Sequence, residues 1–328
     1  MSGAPARIAC IGAGRMGRGM AHAFAYAGHD VVLVDAKPRD AEAHAALAAE
    51  ALGEIRASLG QLAGLGAFEA AAIEPIMARI RVVALDDAAA ALADCPFVFE
   101  GVPETREAKA SALALIDAIA RPDAIVASTT STFLSTDLAG LTARPDQFLN
   151  AHWLNPAYLV PLVEVSPSPA TDPAVTAAML RLLEGAGKMP VVCAASPGYI
   201  VPRIQALAMN EAARLVEEGV ATAEDVDKAV LYGFGFRFAV LGLIEFIDWG
   251  GGDILFYASR YMRQATGEER FAAPAVIERN MAEGRIGLKT GRGFYDYAGR
   301  DLDAYRRERL GAFLAMLGHL GLTRPPVL

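Results

Sequence analysis

His152 and Glu164 place an imidazole and a carboxylate in the otherwise apolar stretch 151–165, AHWLNPAYLVPLVEV. A carboxylate inside a Leu-Val-Glu-Val run faces desolvation in a core strand, which becomes tolerable once it meets a partner able to carry positive charge. The Asn155-Pro156 step is a turn signal, so the two extended flanks can fold back and bring residues twelve apart into contact. A histidine held by a glutamate is a general base. The plainer alternative is a core histidine with its hydrogen bonds satisfied and an edge-strand glutamate facing water.

A second chemical signature lies at the N-terminal end. Residues 7–11 form a short apolar run that ends in Gly12-Ala13-Gly14-Arg15-Met16-Gly17, after which Met16, Met20, Ala23, Phe24 and Ala27 recur at helical spacing. The pattern predicts strand, glycine turn and helix. In such a turn the first glycine permits the bend, the second lets backbone approach a pyrophosphate, and the third lets helix and strand pack closely. Free N–H groups and the positive end of the helix dipole then face the phosphates. Residues 30–34 read as a second strand, and Asp35 stands at its end, 18 residues beyond Gly17, where an acidic side chain can bind ribose hydroxyls. The cofactor expected is NAD rather than NADP, because Asp35 would repel a 2′-phosphate; Lys37 and Arg39 weaken that exclusion. A solvated turn at the strand end is the simpler reading of Asp35.

The elements that position these groups alternate. Residues 39–79 are alanine-rich and broken by glycines and Pro75, which predicts a helical insertion of two helices. Strands are expected at 81–84, 97–100 and 124–128, with helices at 86–94 and 104–120. This is α/β alternation. The strand at 124–128 ends in Ser128-Thr129-Thr130-Ser131-Thr132, a hydroxyl cluster at the edge where open parallel sheets bind ligands, although a helix cap would also use such residues. After a strand at 190–193 the pattern becomes helical, at 200–218, 223–232, 239–247, 253–264 and 301–320, with 233–238 and 249–252 as loops. The expected division is therefore a Rossmann-type α/β dinucleotide-binding domain over 1–194, with its helical insertion, and an all-α domain over 195–328.

Bulk properties narrow the class. The 38 acidic against 30 basic residues leave a net charge of -8 with no basic block to follow a phosphate backbone, so nucleic acid is not an expected partner. No apolar run reaches the length of a membrane span, and residues 1–14 have no charged leader with an apolar core, from which a cytoplasmic protein is expected. Cys10, Cys95 and Cys193 are far apart and show no metal spacing, so no metal site is expected.

Together these residues resemble the 3-hydroxyacyl-CoA dehydrogenase family, including relatives that act on free 3-hydroxy acids, such as L-gulonate 3-dehydrogenase/λ-crystallin and carnitine dehydrogenase. The carriers are the Gly12 to Gly17 turn, Asp35, Glu100-Gly101-Val102-Pro103-Glu104, the 128–132 cluster, His152-Trp153-Leu154-Asn155-Pro156, Leu162-Val163-Glu164-Val165, Pro197-Gly198-Tyr199-Ile200-Val201 and Lys289-Thr290-Gly291-Arg292-Gly293-Phe294-Tyr295. The resemblance implies NAD-dependent interconversion of a 3-hydroxy and a 3-keto group. His152 would be the base, Glu164 would orient it, and Ser131 would hydrogen-bond the substrate oxygen. Glu104, Lys109, Asn155 and Lys289 would line the dinucleotide, with Asn155 where cofactor and substrate meet; Glu104 and Lys109 could equally be a pair on a solvated helix start, and Lys289 a turn residue. The C-terminal domain would build a homodimer and cover the small-molecule substrate, with Arg237 a candidate for a substrate carboxylate or simply a surface arginine. A recruited, non-catalytic NAD-binding protein is the distant alternative.

Two departures bear on the substrate. Pro202 stands where the acyl-CoA enzymes carry an asparagine near the histidine, which leaves Arg203, Gln205 or Asn210 to replace it. Residues 40–80 hold six acidic residues, Arg56 and Arg79 but no lysine, where those enzymes offer CoA a lysine and a serine; only Ser58 remains. That insertion should attract a polyanion poorly; the leading expectation is an L-3-hydroxyacyl-CoA dehydrogenase, with a dehydrogenase of a small free 3-hydroxy acid as the alternative.

Overall fold

The computed structural model describes residues 5–327. Eight strands, β1 (Arg7–Ile11), β2 (Asp30–Val34), β3 (Ile80–Val83), β4 (Phe97–Glu100), β5 (Ile125–Ser128), β6 (Phe148–Trp153), β7 (Leu162–Pro167) and β8 (Met189–Val192), form one sheet in the order β3-β2-β1-β4-β5-β6-β7-β8. Every pairing is parallel except β6 with β7. The order reverses between β1 and β4, which opens a crevice at their C-terminal ends, the place where doubly wound sheets bind ligands.

Alternation along the strands sorts the core onto two faces. Ile8 and Cys10 pack with Phe24, Leu33, Phe99 and Trp153, while Ala9 and Ile11 pack with Val32, Val34, Leu113, Ile116 and Phe148. The first face is covered by α1 (Arg15–Tyr26) and α2 (Ala41–Gly64), followed by α3 (Ile73–Met77); the second takes α4 (Ala88–Leu92) and α5 (Arg106–Ile119). Short α6 (Ser135–Ala139) and α7 (Pro173–Gly185) complete the unit's connections. The expected pair of helices in the insertion is present, as one long helix, α2, and a short one, α3. Asp40 caps α2 by accepting from the Ala43 N–H at 2.8 Å, and an alanine-rich sequence carries the helix through Gly53 and Gly60, each costing only about 1 kcal/mol.

The chain parts into two compact units between Leu207 and Ala208, inside α8 (Val201–Glu217). The expected step at 194/195 lies in the segment leading to that helix, whose first turn serves the site described below. The second unit is helical: α9 (Ala223–Ala229) continues through a π-helical stretch, Val230–Gly235, into α10 (Phe236–Phe238), followed by α11 (Leu243–Gly250), α12 (Gly252–Thr266), α13 (Ala275–Ala282) and α14 (Leu302–His319). Residues 233–238 are thus helical, not the expected loop; Phe234 packs edge-on against Phe238 at 4.5 Å, and Phe238 against Phe246, so aromatic packing overrides the glycines. Asp248, buried in this unit, accepts from the Phe294 and Tyr295 N–H groups at 3.0 and 2.9 Å and from the Tyr297 hydroxyl. A Cβ on Gly293 would collide with that carboxylate, which accounts for the glycine in Gly-Arg-Gly-Phe-Tyr. Among the described residues no single helix is long and apolar enough to cross a membrane.

Phe24 joins the site-bearing strands to α1: its ring lies 5.1 Å from Phe99 and 5.3 Å from Trp153 and is fully buried. Phe24→Ala is expected to cost about 3–5 kcal/mol. Urea unfolding should show it as a lower midpoint at an unchanged slope.

Candidate active site

Antiparallel pairing sets His152 directly opposite Glu164, so both side chains emerge on one face of β6 and β7. His152 Nδ1 lies 2.8 Å from Glu164 Oε2, with the carboxylate fully buried and the ring 5 % exposed. Glu164 Oε1 accepts two further bonds, from the backbone N–H groups of Ile200 at 2.9 Å and Val201 at 2.8 Å. Those donors belong to the start of α8, so the helix's unsatisfied N–H groups and positive end meet a negative charge. With Nδ1 engaged by the carboxylate, Nε2 is the nitrogen left for a substrate proton. The edge-strand glutamate facing water is ruled out by its burial.

A second cluster shapes the hydroxyl loop after β5. Glu104 Oε1 accepts from the Ser131 N–H at 3.0 Å, from the Thr132 N–H at 3.0 Å and hydroxyl at 2.7 Å, and from the Thr130 hydroxyl. Beneath it Lys109, 1 % exposed, bridges Glu100 at 3.1 Å and Glu104 at 3.2 Å. Glu100 also accepts from Ser128 Oγ at 2.6 Å and the Val102 N–H at 2.7 Å. The pair is therefore no solvated helix start: the ammonium is enclosed between two carboxylates. Burial pushes the Glu104 carboxyl up, but Thr130, Thr132 and the Lys109 charge outweigh it and hold it at about 2. Ser131 itself is exposed on this loop.

The glycine turn fits the dinucleotide. Gly12 has φ +106° and a Cβ there would lie 2.9 Å from the Gly101 carbonyl, while a Cβ on Gly17 would collide with the Gly12 carbonyl. Gly14 has open space around its missing Cβ, and no side chain caps α1, so the first N–H groups of α1 face outward where a pyrophosphate would lie. Arg15 is exposed beside this turn and Met16 is partly buried against the core. Asp35, at the end of β2, is buried and accepts from Arg39 Nε at 2.8 Å and the Lys37 N–H at 3.3 Å, with His44 3.5 Å away. It is a buried, partnered carboxylate rather than a solvated turn residue.

Asn155 precedes a cis proline and, with Arg15, Arg18, His22, Ser58 and Tyr158, lines a groove of about 280 Å³ between α1, α2 and this loop. Lys188, buried, holds the loop by donating to the Ala157 and Val160 carbonyls at 2.6 and 2.9 Å. Burial, with the Lys188 charge added, lowers His22 to about 4, so its ring is neutral where it stacks on Tyr158 and bonds Ser58 Oγ at 2.7 Å. Arg18 is held by Glu50 at 2.9 Å and Glu54 at 2.7 Å. Pro202 sits in the first turn of α8, where its missing N–H is harmless. The Arg203 guanidinium reaches only to 3.5 Å from Ser196 Oγ, and Gln205 is exposed. In the C-terminal unit Lys289 pairs with Asp253 at 3.1 Å, Arg237 is exposed with its guanidinium over Phe246, and Asn210 lies in the later turns of α8. The first unit alone thus brings together His152, Glu164 and the Tyr199-Ile200-Val201 junction, and separately Glu104 with Ser131.

The chain matches the family model described as the 3-hydroxyacyl-CoA dehydrogenase NAD binding domain over residues 7–196, and that of the 3-hydroxyacyl-CoA dehydrogenase C-terminal domain over 198–297. The chain belongs to the 3-hydroxyacyl-CoA dehydrogenase family. It is 33% identical over 294 residues to a 3-hydroxybutyryl-CoA dehydrogenase of Bradyrhizobium diazoefficiens, covering 89% of this chain and 96% of that one. It is 32% identical over 313 residues to the 5-formyl-3-hydroxy-2-methylpyridine 4-carboxylate 5-dehydrogenase of Mesorhizobium japonicum, covering 94% and 96%. The crystal structure of a 3-hydroxyacyl-CoA dehydrogenase from Archaeoglobus fulgidus superposes with a TM-score of 0.75 at 31% identity, covering 97% of this chain and all of that one. As a family member the chain is an NAD-dependent oxidoreductase acting on a small molecule, with the fold expected from its sequence.

The sequence reading passed over Lys188 and Asp248, and it named Glu100, Ser128 and Tyr199 only as members of motifs, with no role of their own. All five are buried and bonded across long sequence separations. The depressed Glu104 carboxyl gives a pH test. A folded pKa below the unfolded value adds stability that is complete above the unfolded value and lost as pH falls towards the folded one. The stability gap between wild type and Glu104→Gln should therefore be widest above pH 4.5 and close as pH falls to about 2. Urea midpoints at a series of pH values check this, and a gap that stays constant through that range contradicts it.

Proposed function

We propose that the protein interconverts the 3-hydroxy and 3-keto forms of its substrate, with His152 as general base. The observation that carries this is the buried carboxylate of Glu164 against His152 Nδ1, locked from behind by two backbone donors. Residues Gly12, Gly14, Arg15, Met16 and Gly17 and Asp35 would hold the dinucleotide, and Asn155 and Lys289 would meet it. The bound cofactor supplies the hydride acceptor in the oxidative direction. His152 Nε2 takes the hydroxyl proton, and Glu164 stabilises the imidazolium that forms. General base catalysis of this kind contributes about 10²–10⁴ in rate. Ser131, on the loop gathered by Glu104, donates to the substrate oxygen, while Glu104 and Lys109 support that loop from below.

The substrate is an acyl-CoA thioester on the strength of relatives named 3-hydroxybutyryl-CoA dehydrogenase. A free 3-hydroxy acid is the second reading, and a specific observation favours it. The groove has no lysine on α2, Ser58 Oγ is engaged by His22 and the Ile55 carbonyl, and the half-buried Arg18 guanidinium carries two glutamates, with Arg15 exposed beside it. A polyanion gains little there. The relative named for a pyridine carboxylate supports this branch too. Arg237 would then be a partner for the free carboxylate. Assembly as a homodimer through the C-terminal unit is supported by the apolar side chains that α12 leaves exposed, Ile254, Tyr257 and Tyr261.

Initial rates of NADH oxidation with acetoacetyl-CoA and with acetoacetate and other free 3-keto acids test both readings. Turnover of the thioester at least tenfold more efficient than of any free acid supports the first. The reverse order supports the second, and silence on every 3-keto compound counts against the proposed reaction.

A further inference from the structure

Tyr199 is the one residue other than glycine with positive φ, +46°, among the described residues. A backbone in that region is costly for a bulky residue and persists where surrounding contacts over-determine it. Three sets of contacts do so. The phenol ring stacks on the His152 imidazole, centroids 4.8 Å apart and planes 11° from parallel. The next two residues, Ile200 and Val201, donate their N–H groups to Glu164. The Tyr199 hydroxyl donates to the Thr130 carbonyl at 2.9 Å and accepts from Asn150 Nδ2 at 2.9 Å, and Asn150 Nδ2 also donates to the Phe133 carbonyl at 2.9 Å.

Thr130 and Phe133 flank Ser131 and Thr132. The hydroxyl of Tyr199 therefore ends on the loop that presents Ser131, while its ring covers the face of His152. The left-handed turn at 199 is what lets one side chain reach both while its following N–H groups hold the glutamate. Burial pushes the Tyr199 hydroxyl well above its ordinary range, so it is a proton donor to Thr130 throughout the working pH range.

We propose that Tyr199 is a positioning residue that fixes the His152 ring and the Ser131 loop relative to each other, setting the distance between proton acceptor and substrate hydrogen-bond donor. The proposal rests on the reading of His152 as base and Ser131 as the substrate's partner. A ring that only filled space would be replaceable by Phe without loss and would act independently of Ser131.

The test uses the full-length protein with Tyr199→Phe, which keeps the ring, and Tyr199→Leu, which removes it. In spectra of protein labelled at histidine, the His152 ring protons, identified by their loss in His152→Gln, should carry an aromatic ring-current shift that Tyr199→Phe retains and Tyr199→Leu abolishes. With NADH and whichever of acetoacetyl-CoA or acetoacetate is turned over, Tyr199→Phe should lower kcat about fivefold, the equivalent of one hydrogen bond, without changing the KM for NADH. In a Ser131→Ala background the same change should cost less than about twofold, because the hydroxyl acts through that loop. Additive losses, or a Phe variant as fast as wild type, overturn the proposal. If neither substrate is turned over, His152 resonances that stay in place in the Leu variant still overturn it, and the reaction reading fails separately.

Discussion

The buried carboxylate of Glu164 is the constraint from which the site follows. Fully desolvated, it is tolerable only with both its oxygens answered. His152 answers one oxygen across the β6–β7 pair, and the Ile200 and Val201 N–H groups answer the other. Each partner imposes geometry. The histidine requires the antiparallel register that sets 152 opposite 164, in a sheet otherwise parallel, and the N–H groups require a helix to begin at that point. The reversal of direction after β6, the loop around Asn155-Pro156 and the entry into α8 are therefore parts of one arrangement. Lys188 ties the same loop back to the sheet from below.

A second buried arrangement works by the same rule with different residues. Glu100 and Lys109 are both enclosed, and each satisfies the other before Glu104 draws the 130–132 loop together. An ion pair of this kind adds little net stability, because desolvation consumes most of the attraction. Its effect is positional: the carboxylate at the surface of the pair is aimed at the Ser131 loop. The two arrangements lie at the C-terminal ends of adjacent strands, β5 and β6, where an open α/β sheet exposes its ligand crevice.

The local signals in the sequence were strong where local physics decides. Gly12, Gly14 and Gly17 are separated as a strand-to-helix turn demands, and the structure shows steric need at Gly12 and Gly17 and open space at Gly14. His152 and Glu164 could be paired from a turn signal and the expense of a carboxylate in an apolar run. The burial of Lys109 was illegible, because its partner Glu100 lies at the end of a strand and nothing in a helix start of mixed charge reveals an enclosed ammonium. Tyr199 reads as one more aromatic in a Gly-Tyr-Ile-Val stretch; only the tertiary structure brings its ring over an imidazole 47 residues earlier and its hydroxyl to Thr130. The aromatic segment 233–238 misled for the opposite reason: its glycines suggest a loop, and helical packing of Phe234 and Phe238 prevails.

The account stands on Glu164 acting through His152 on the proton rather than on the cofactor. The most direct measurement compares Glu164→Gln with wild type in rapid-mixing single turnovers, alongside NADH affinity by fluorescence. The account predicts that the rate of the chemical step falls by about a hundredfold or more, as loss of an oriented general base requires, while NADH affinity stays within about twofold, less than one hydrogen bond's worth. A wild-type rate in the variant, or a loss of NADH affinity as large as the loss of rate, would contradict it.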